Sequence, residues 1–353
     1  GFNVFGCDLL KDRQKAFKKM GGSLETSIAS IGEKCDAVFV MVMNGDQAKA
    51  IIFDKDGLAE KMVKGSAIIL SATIKPSEAE EIGYSIKGSG INLIDTPVSG
   101  GFPGAQSGTL TLMASAAKDV MEQNKDILEA ISSNIHHVGT EPGQGQIIKA
   151  CLQSLIGAQF SATFEAAALA AKAGVSGEVL HTVFSTSSAG CGVVNNALEK
   201  IIDRKFEGTG SHINTMHKDL TISLNLAENL GVPMHTASAA MQIFHAGRTK
   251  YPDGDNWVCT RVIEEIVGAE LHRQEIKMKL GVICDGISRD LNHAVKVMDE
   301  FGLEYAELQF VGDKEVGDHS PDEISDIKKI LVDAGKPVSC LSRHIFAGLT
   351  TSN

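Results

Sequence analysis

The sequence predicts an α/β fold in three parts: an open parallel sheet with helical crossovers over residues 1–142, an all-α domain over 143–270, and an incomplete β/α array over 279–353. Three observations carry that reading. Short apolar runs alternate with helical segments through the first part, the pattern of parallel strands joined by right-handed crossovers. From residue 146 the pattern gives way to a long stretch of Ala, Ser and Gly at helical spacing. Near residue 279 short apolar runs return.

Residues 3–8 predict a short strand ending in Asp8, and residues 11–20 a charged helix closed by Gly21-Gly22. Residues 36–43 (DAVFVMVM) form an almost continuous apolar run, as expected of a strand buried on both faces. Residues 47–53 are helical in period. Residues 67–70 are the next buried strand, followed by Ser71-Ala72-Thr73, and 91–94 another, ending at Asp95. Ligands of such sheets bind at the carboxyl ends of the strands, which directs attention to Asp8, Met43-Asn44, Thr73 and Ser99.

Residues 146–173 predict one helix of about 40 Å. Its small residues imply close packing by other helices. The chain stays helical to residue 267, with breaks at Gly174, Gly190-Cys191-Gly192 and Gly231-Val232-Pro233. A polar linker over 271–278 leads to a strand at 279–284, a helix at 291–301 and a strand at 305–311. A helix at 320–335 opens with the capping signature Ser320-Pro321-Asp322-Glu323, and 337–341 is a last strand. Three strands cannot close a barrel, which needs eight. This segment is expected to expose strand edges and to be unstable.

A chain of 353 residues implies two or three domains. The net charge of -11 argues against nucleic acid or an anionic membrane as partner. Seven cysteines, with no C-x-x-C pair, fit free thiols in a reducing compartment. With no bilayer-length apolar run and no signal-like opening, a cytoplasmic location is expected. The histidines lack ligand spacing, so no metal is assigned. The chain opens at Gly1 on a strand-like segment, and residues 346–353 stop without a closing element; both ends are expected to be cut.

Four places carry chemistry. Asp8 ends a strand where an acid accepts hydrogen bonds from an adenosine ribose and repels a 2′-phosphate, favouring NAD over NADP. Arg13 is placed to counter that acid, and an Asp here also serves as a turn or cap residue. In Asp95-Thr96-Pro97-Val98-Ser99-Gly100-Gly101 two glycines let backbone N–H groups approach a carboxylate, or form an ordinary turn. Gly143-Gln144-Gly145 precedes Lys149, whose apolar neighbours would lower its pKa enough to accept a hydroxyl proton. Gln153, four residues on, shares its face. The bland reading of Lys149 is a lysine snorkelling at a helix start. Lys218-Asp219 begins an amphipathic run and by itself is a solvated helix start.

Together, DTPVSGG (95–101) with GTLTLM (108–113), GQGQIIK (143–149), SATIKP (71–76) and KDL (218–220) resemble the β-hydroxyacid dehydrogenase family, in order and spacing, from residue 1 to about 267. The resemblance implies a Rossmann-type NAD-binding domain followed by an all-helical domain. It implies Lys149 as general acid/base and Ser99, Gly100 and Gly101 as the substrate carboxylate site. Val42, Met43, Gln47 and Thr73 would line the cofactor, with Lys218 reaching it from the helical domain. It implies a small hydroxyacid as substrate and a homo-oligomer, dimer or tetramer.

Three departures stand out. The family's opening strand and glycine-rich phosphate loop are not in the sequence, so the chain as given is expected to bind NAD poorly. The family's usual Asn four residues after the lysine is Gln153, and Gly190-Cys191-Gly192-Val193-Val194-Asn195-Asn196 replaces an aromatic-containing stretch. Gln153 and the EPGQG wording resemble the L-threonate dehydrogenase branch, which implies a polyhydroxylated four-carbon acid; tartronate semialdehyde reductase and 3-hydroxyisobutyrate dehydrogenase are the alternatives. The last segment resembles the start of a xylose-isomerase-like TIM barrel, with Met278 as a native start, so a fusion or a read-through is expected. A sugar isomerase and an inactive fragment are the readings from other classes.

Overall fold

The computed structural model describes residues 1–273 and 280–344. The chain divides into two compact units near residue 274. Most of the linker at 271–278, the Lys279 start of the strand at 279–284, and the terminus at 346–353 lie outside the described residues.

The first unit opens with β1 (Phe5–Gly6), α1 (Lys11–Lys19) and β2 (Ser23–Leu24), and β1 and β2 pair in parallel. α2 (Ile28–Lys34), β3 (Ala37–Val40), α3 (Gly45–Phe53), α4 (Leu58–Lys61), β4 (Ala67–Leu70), α5 (Pro76–Ile86) and β5 (Asn92–Asp95) follow. Next come β6 (Val98–Ser99), α6 (Gly101–Ser107), β7 (Leu110–Ser115), α7 (Lys118–Gln123), α8 (Lys125–Glu129) and β8 (Ser132–Gly139). β3, β4 and β5 are parallel neighbours; β7 pairs antiparallel with β5 and β6, and parallel with β8.

β4 is buried throughout: Ile68 and Leu70 pack on one face of the sheet, Ile69 on the other, as the two-residue period of a central strand requires. The run at 36–43 behaves differently. β3 covers only Ala37–Val40 and lies at the end of this sheet, with Phe39, Met41 and Met43 exposed. Burial on both faces is therefore corrected to burial on one: Val38 and Val40 face the core, with Val42 packed against it. Hydropathy alone does not distinguish an edge strand from a central one.

α9 (Gln144–Lys172) is the spine of the helical part. Around it lie α10 (Gly177–Thr186), α11 (Gly192–Ile202), α12 (Ile213–Leu230), α13 (His235–Lys250) and α14 (Cys259–Val267). Phe160 and Phe164 on the spine stack on each other, and Trp257 meets Phe160 edge-on. Gly157 lets Leu220 of α12 close on the spine, because a Cβ there would lie 2.6 Å from a Leu220 methyl. The small residues of this helix serve the close approach the sequence predicts.

The second unit holds β9 (Gly281–Ile283), α15 (Cys284–Ile287), α16 (Leu291–Glu300), β10 (Tyr305–Leu308), β11 (Phe310–Val311), β12 (Lys314–Glu315), α17 (Pro321–Asp333) and β13 (Val338–Leu341). β9, β10 and β13 are parallel and lie side by side in sequence order. Ser320 caps α17 in the predicted capping box with Glu323. The strand expected at 305–311 is two strands, because β11 leaves the sheet to form a hairpin with β12.

Candidate active site

The site is built from the start of the spine helix. Gly143 precedes it with φ of 94°, a left-handed value that glycine adopts without a Cβ clash. Gly145 lies against the sheet: a Cβ there would stand 2.4 Å from the Met113 carbonyl oxygen and 2.9 Å from that of Asp95. Helix starts leave N–H groups without intrahelical partners. Here the Gly143 N–H donates to Asp95 Oδ2 at 2.8 Å, and the Gly145 N–H to Ser115 Oγ at 3.2 Å. An anion at the positive end of a helix dipole is favourable.

Asp95 is fully buried, and burial pushes its carboxyl above the usual range; hydrogen bonds from Gln146, Gly143 and Ser115 act in the opposite direction. Gln146 Nε2 donates to Asp95 Oδ1 at 2.7 Å and to the Ala72 carbonyl at 3.1 Å, while its Oε1 accepts from the Ile74 N–H at 3.1 Å. One amide thus ties the spine to the carboxyl ends of β4 and β5. It fixes where the next turn of the helix points.

That turn carries Lys149. The residue is 6% exposed, and its Nζ donates to the Val98 carbonyl at 2.7 Å, next to Ser99. Burial holds the amine below the usual lysine value; Asp219 opposes that shift and Lys218 reinforces it. Gln153, one turn on, donates from Nε2 to Asp219 Oδ2 at 2.5 Å. Lys218 Nζ donates to Asp219 Oδ1 and to the Thr73 carbonyl, both at 2.7 Å. A continuous polar chain therefore runs from the spine through α12 to the end of β4.

A cleft of about 820 Å3 opens in front of these groups. It is lined by Lys149, Gln153, Ser99, Gly100, Gly101 and Thr73, so the structure brings six of the residues singled out in the sequence to one place. Gly100 and Gly101 have φ of 126° and 58°, leaving their backbone open to a ligand.

Five others are not part of its lining. Lys218 approaches only through Thr73 and Asp219. Asp8 accepts from the Leu10 N–H at 2.7 Å and pairs with Arg13 at 3.7 Å, the turn role of such a residue. Gln47 Oε1 accepts from the Met43 N–H at 2.9 Å, and Asn44 caps the same helix, so Met43 and Gln47 serve a helix start. Val42 packs against the core, and Met41, of opposite parity to it, lines the cleft. Among the described residues, no group of three or more His, Cys, Asp or Glu side chains is placed to hold a metal ion.

The residues present fit a dinucleotide at the carboxyl ends of β3 and β4. Met41, Ser71 and Thr73 line that end of the cleft, and Ser71 Oγ is buried with no hydrogen-bond partner among the described residues.

Residues 1–139 match the family described as the NAD binding domain of 6-phosphogluconate dehydrogenase, and residues 143–263 the one described as NAD-binding of NADP-dependent 3-hydroxyisobutyrate dehydrogenase. L-threonate dehydrogenase of Escherichia coli O6:H1 is 32% identical over 69% of this chain and 81% of its own length. L-threonate dehydrogenase of Cupriavidus necator is 32% identical over 77% and 90%. This chain belongs to the β-hydroxyacid dehydrogenase family. A crystal structure of 3-hydroxyisobutyrate dehydrogenase from Salmonella typhimurium superposes with a TM-score of 0.69 at 28% identity, covering 74% of this chain and 92% of that one.

As a family member the chain is a dehydrogenase acting on a CH–OH group, with a Rossmann-like NAD(P)-binding domain and a helical domain. No helix among the described residues is long and apolar enough to cross a membrane. Sequence reasoning missed Asp95, Gln146, Ser115 and Asp219 as parts of the site. Asp95, Gln146 and Asp219 stood inside the motifs DTPVSGG, GQGQIIK and KDL, and that membership was the available signal. Ser115 carried no signal beyond a polar residue beside an apolar run.

Proposed function

We propose that the chain oxidises a polyhydroxylated four-carbon acid, L-threonate at C2, using NAD in preference to NADP. The observation that carries the reading is the buried amine of Lys149 beside the Val98 carbonyl, in one cleft with the Ser99-Gly100-Gly101 turn. The L-threonate dehydrogenases at 32% identity support the substrate. Asp8, two residues beyond β1, supports NAD through repulsion of a 2′-phosphate, with Arg13 at 3.7 Å as the opposing charge.

The substrate carboxylate binds the Ser99 hydroxyl and the open backbone of Gly100 and Gly101. That sets the C2 hydroxyl against Lys149 Nζ. A neutral amine accepts the hydroxyl proton as the O–H bond breaks, and the lowered pKa raises the neutral fraction. When bound against Met41, Ser71 and Thr73, the nicotinamide dinucleotide supplies the hydride acceptor. Gln153 and Asp219 hold Lys149 and the substrate in register, and the protein works as a dimer or tetramer.

A panel of L-threonate, glycerate and 3-hydroxyisobutyrate as oxidised substrates, and tartronate semialdehyde in reduction, tests this with both cofactors. L-threonate with NAD is expected to give the highest kcat/KM. A higher value for 3-hydroxyisobutyrate would end the threonate reading.

A further inference from the structure

α12 runs beside the catalytic part of the spine and serves as a ruler along the cleft. Asp219 accepts from Gln153, and Met216 Sδ lies 3.8 Å from the same amide nitrogen. One turn before Met216 stands His212, at the N-cap of the helix. It is seven positions from Asp219, about 10 Å along the axis, and lines the same cleft as Lys149.

The cap determines what His212 presents. Its Nδ1 accepts from the Asn214 N–H at 3.1 Å, so in the neutral ring the proton sits on Nε2, which is then a donor. Two neighbours in the cleft wall complete the environment. Asn256 is 5% exposed; its Nδ2 donates to Ser211 Oγ at 2.8 Å, and its Oδ1 has no partner among the described residues. Lys200, the cation of this wall, is paired with Glu199 at 3.0 Å. A compensated cation and neutral donors and acceptors suit a hydroxylated tail better than a second carboxylate.

We propose that His212 is a specificity-determining residue, with its Nε2–H donating to the hydroxyl at the end of the substrate remote from the carboxylate. The proposal rests on the hydroxyacid reading of the cleft and narrows its substrate class to acids with a C4 hydroxyl. A site that hydrogen-bonds a substrate hydroxyl discriminates strongly against the analogue lacking it.

The test compares L-threonate with glycerate of the same C2 configuration, which lacks that hydroxyl, in the wild-type chain, His212→Asn and His212→Ser. Asn and Ser both cap helices, so the α12 start is kept while the imidazole donor is lost. Thermal melts identify the folded variants. Binding by calorimetry and kcat/KM with NAD are both read. The expected result is that the threonate-to-glycerate preference falls at least tenfold in both measures. A preference within twofold of wild type in a folded variant overturns the role of His212. A wild-type chain that binds neither acid by calorimetry overturns the hydroxyacid reading itself, and this proposal with it.

Discussion

Asp95 and Gly143, 48 residues apart, meet at 2.8 Å: the carboxylate that ends β5 accepts the first free N–H of the spine helix. Lys149 is aimed by this contact, because Asp95 also accepts from Gln146 one helical turn before it. Asp95→Asn turns one acceptor into a donor facing either Gly143 or Gln146. Loss of the buried charge offsets part of the cost, since burial opposes ionisation here. A net loss of about 1–3 kcal/mol is expected in urea unfolding, with a lower kcat. An unchanged unfolding midpoint would show that the contact does not hold the helix.

Lys149→Met should separate activity from stability. Loss of a general base lowers kcat by about 10²–10⁴-fold. Folding is expected to improve at neutral pH. The folded-state pKa of Lys149 is lowered, so the unfolded chain holds the proton more tightly. That penalty is full below the folded value and fades as pH rises towards the unfolded one. A melting temperature at pH 7 below wild type would contradict the burial argument. In the wild type, oxidation should rise with pH through the lowered lysine pKa and level off below the ordinary lysine value of 10.5.

Gly145→Ala tests the packing of the spine on the sheet. Its Cβ would meet two backbone carbonyls, Met113 at 2.4 Å and Asp95 at 2.9 Å, and neither can rotate away. Overpacking of this kind costs about 1–3 kcal/mol or more. Melting temperature and kcat should fall together, and a variant with wild-type values in both would show that the helix start shifts freely.

A second pH dependence arises at His217 on α12, whose Nε2 lies 2.9 Å from His245 Nδ1, with Arg248 3.3 Å from its Nδ1. Burial lowers the His217 pKa, and the Arg248 and His245 charges act in the same direction. The unfolded chain therefore takes up the proton first as pH falls, and stability is lost below the ordinary histidine value of 6.5. His217→Gln should flatten the melting-temperature profile between about pH 7 and pH 5. A profile parallel to wild type would assign that loss to other groups.

Much of this was legible in the residues. β4 announced itself by four apolar residues between turn signals, and α9 by helical spacing with small side chains. The edge position of β3 was not legible, because exposure depends on which strand lies beside it. On that strand the two-residue alternation sent Phe39 and Met41 to the cleft and Val38, Val40 and Val42 to the core. Once the edge face was fixed, parity decided that Met41 replaced the expected Val42.

By itself the sequence determined the order of elements, the family motifs and the lysine at the start of the long helix, because periodicity and motif spacing are local properties of the chain. The tertiary structure alone decided that Asp95 and Gln146 anchor that helix, that Asp219 joins Gln153 to Lys218, and that His212 shares a cleft with Lys149. The physical reason is distance along the chain. A buried carboxylate needs donors from wherever the fold brings them, and these came from residues dozens of positions away, which no local pattern records.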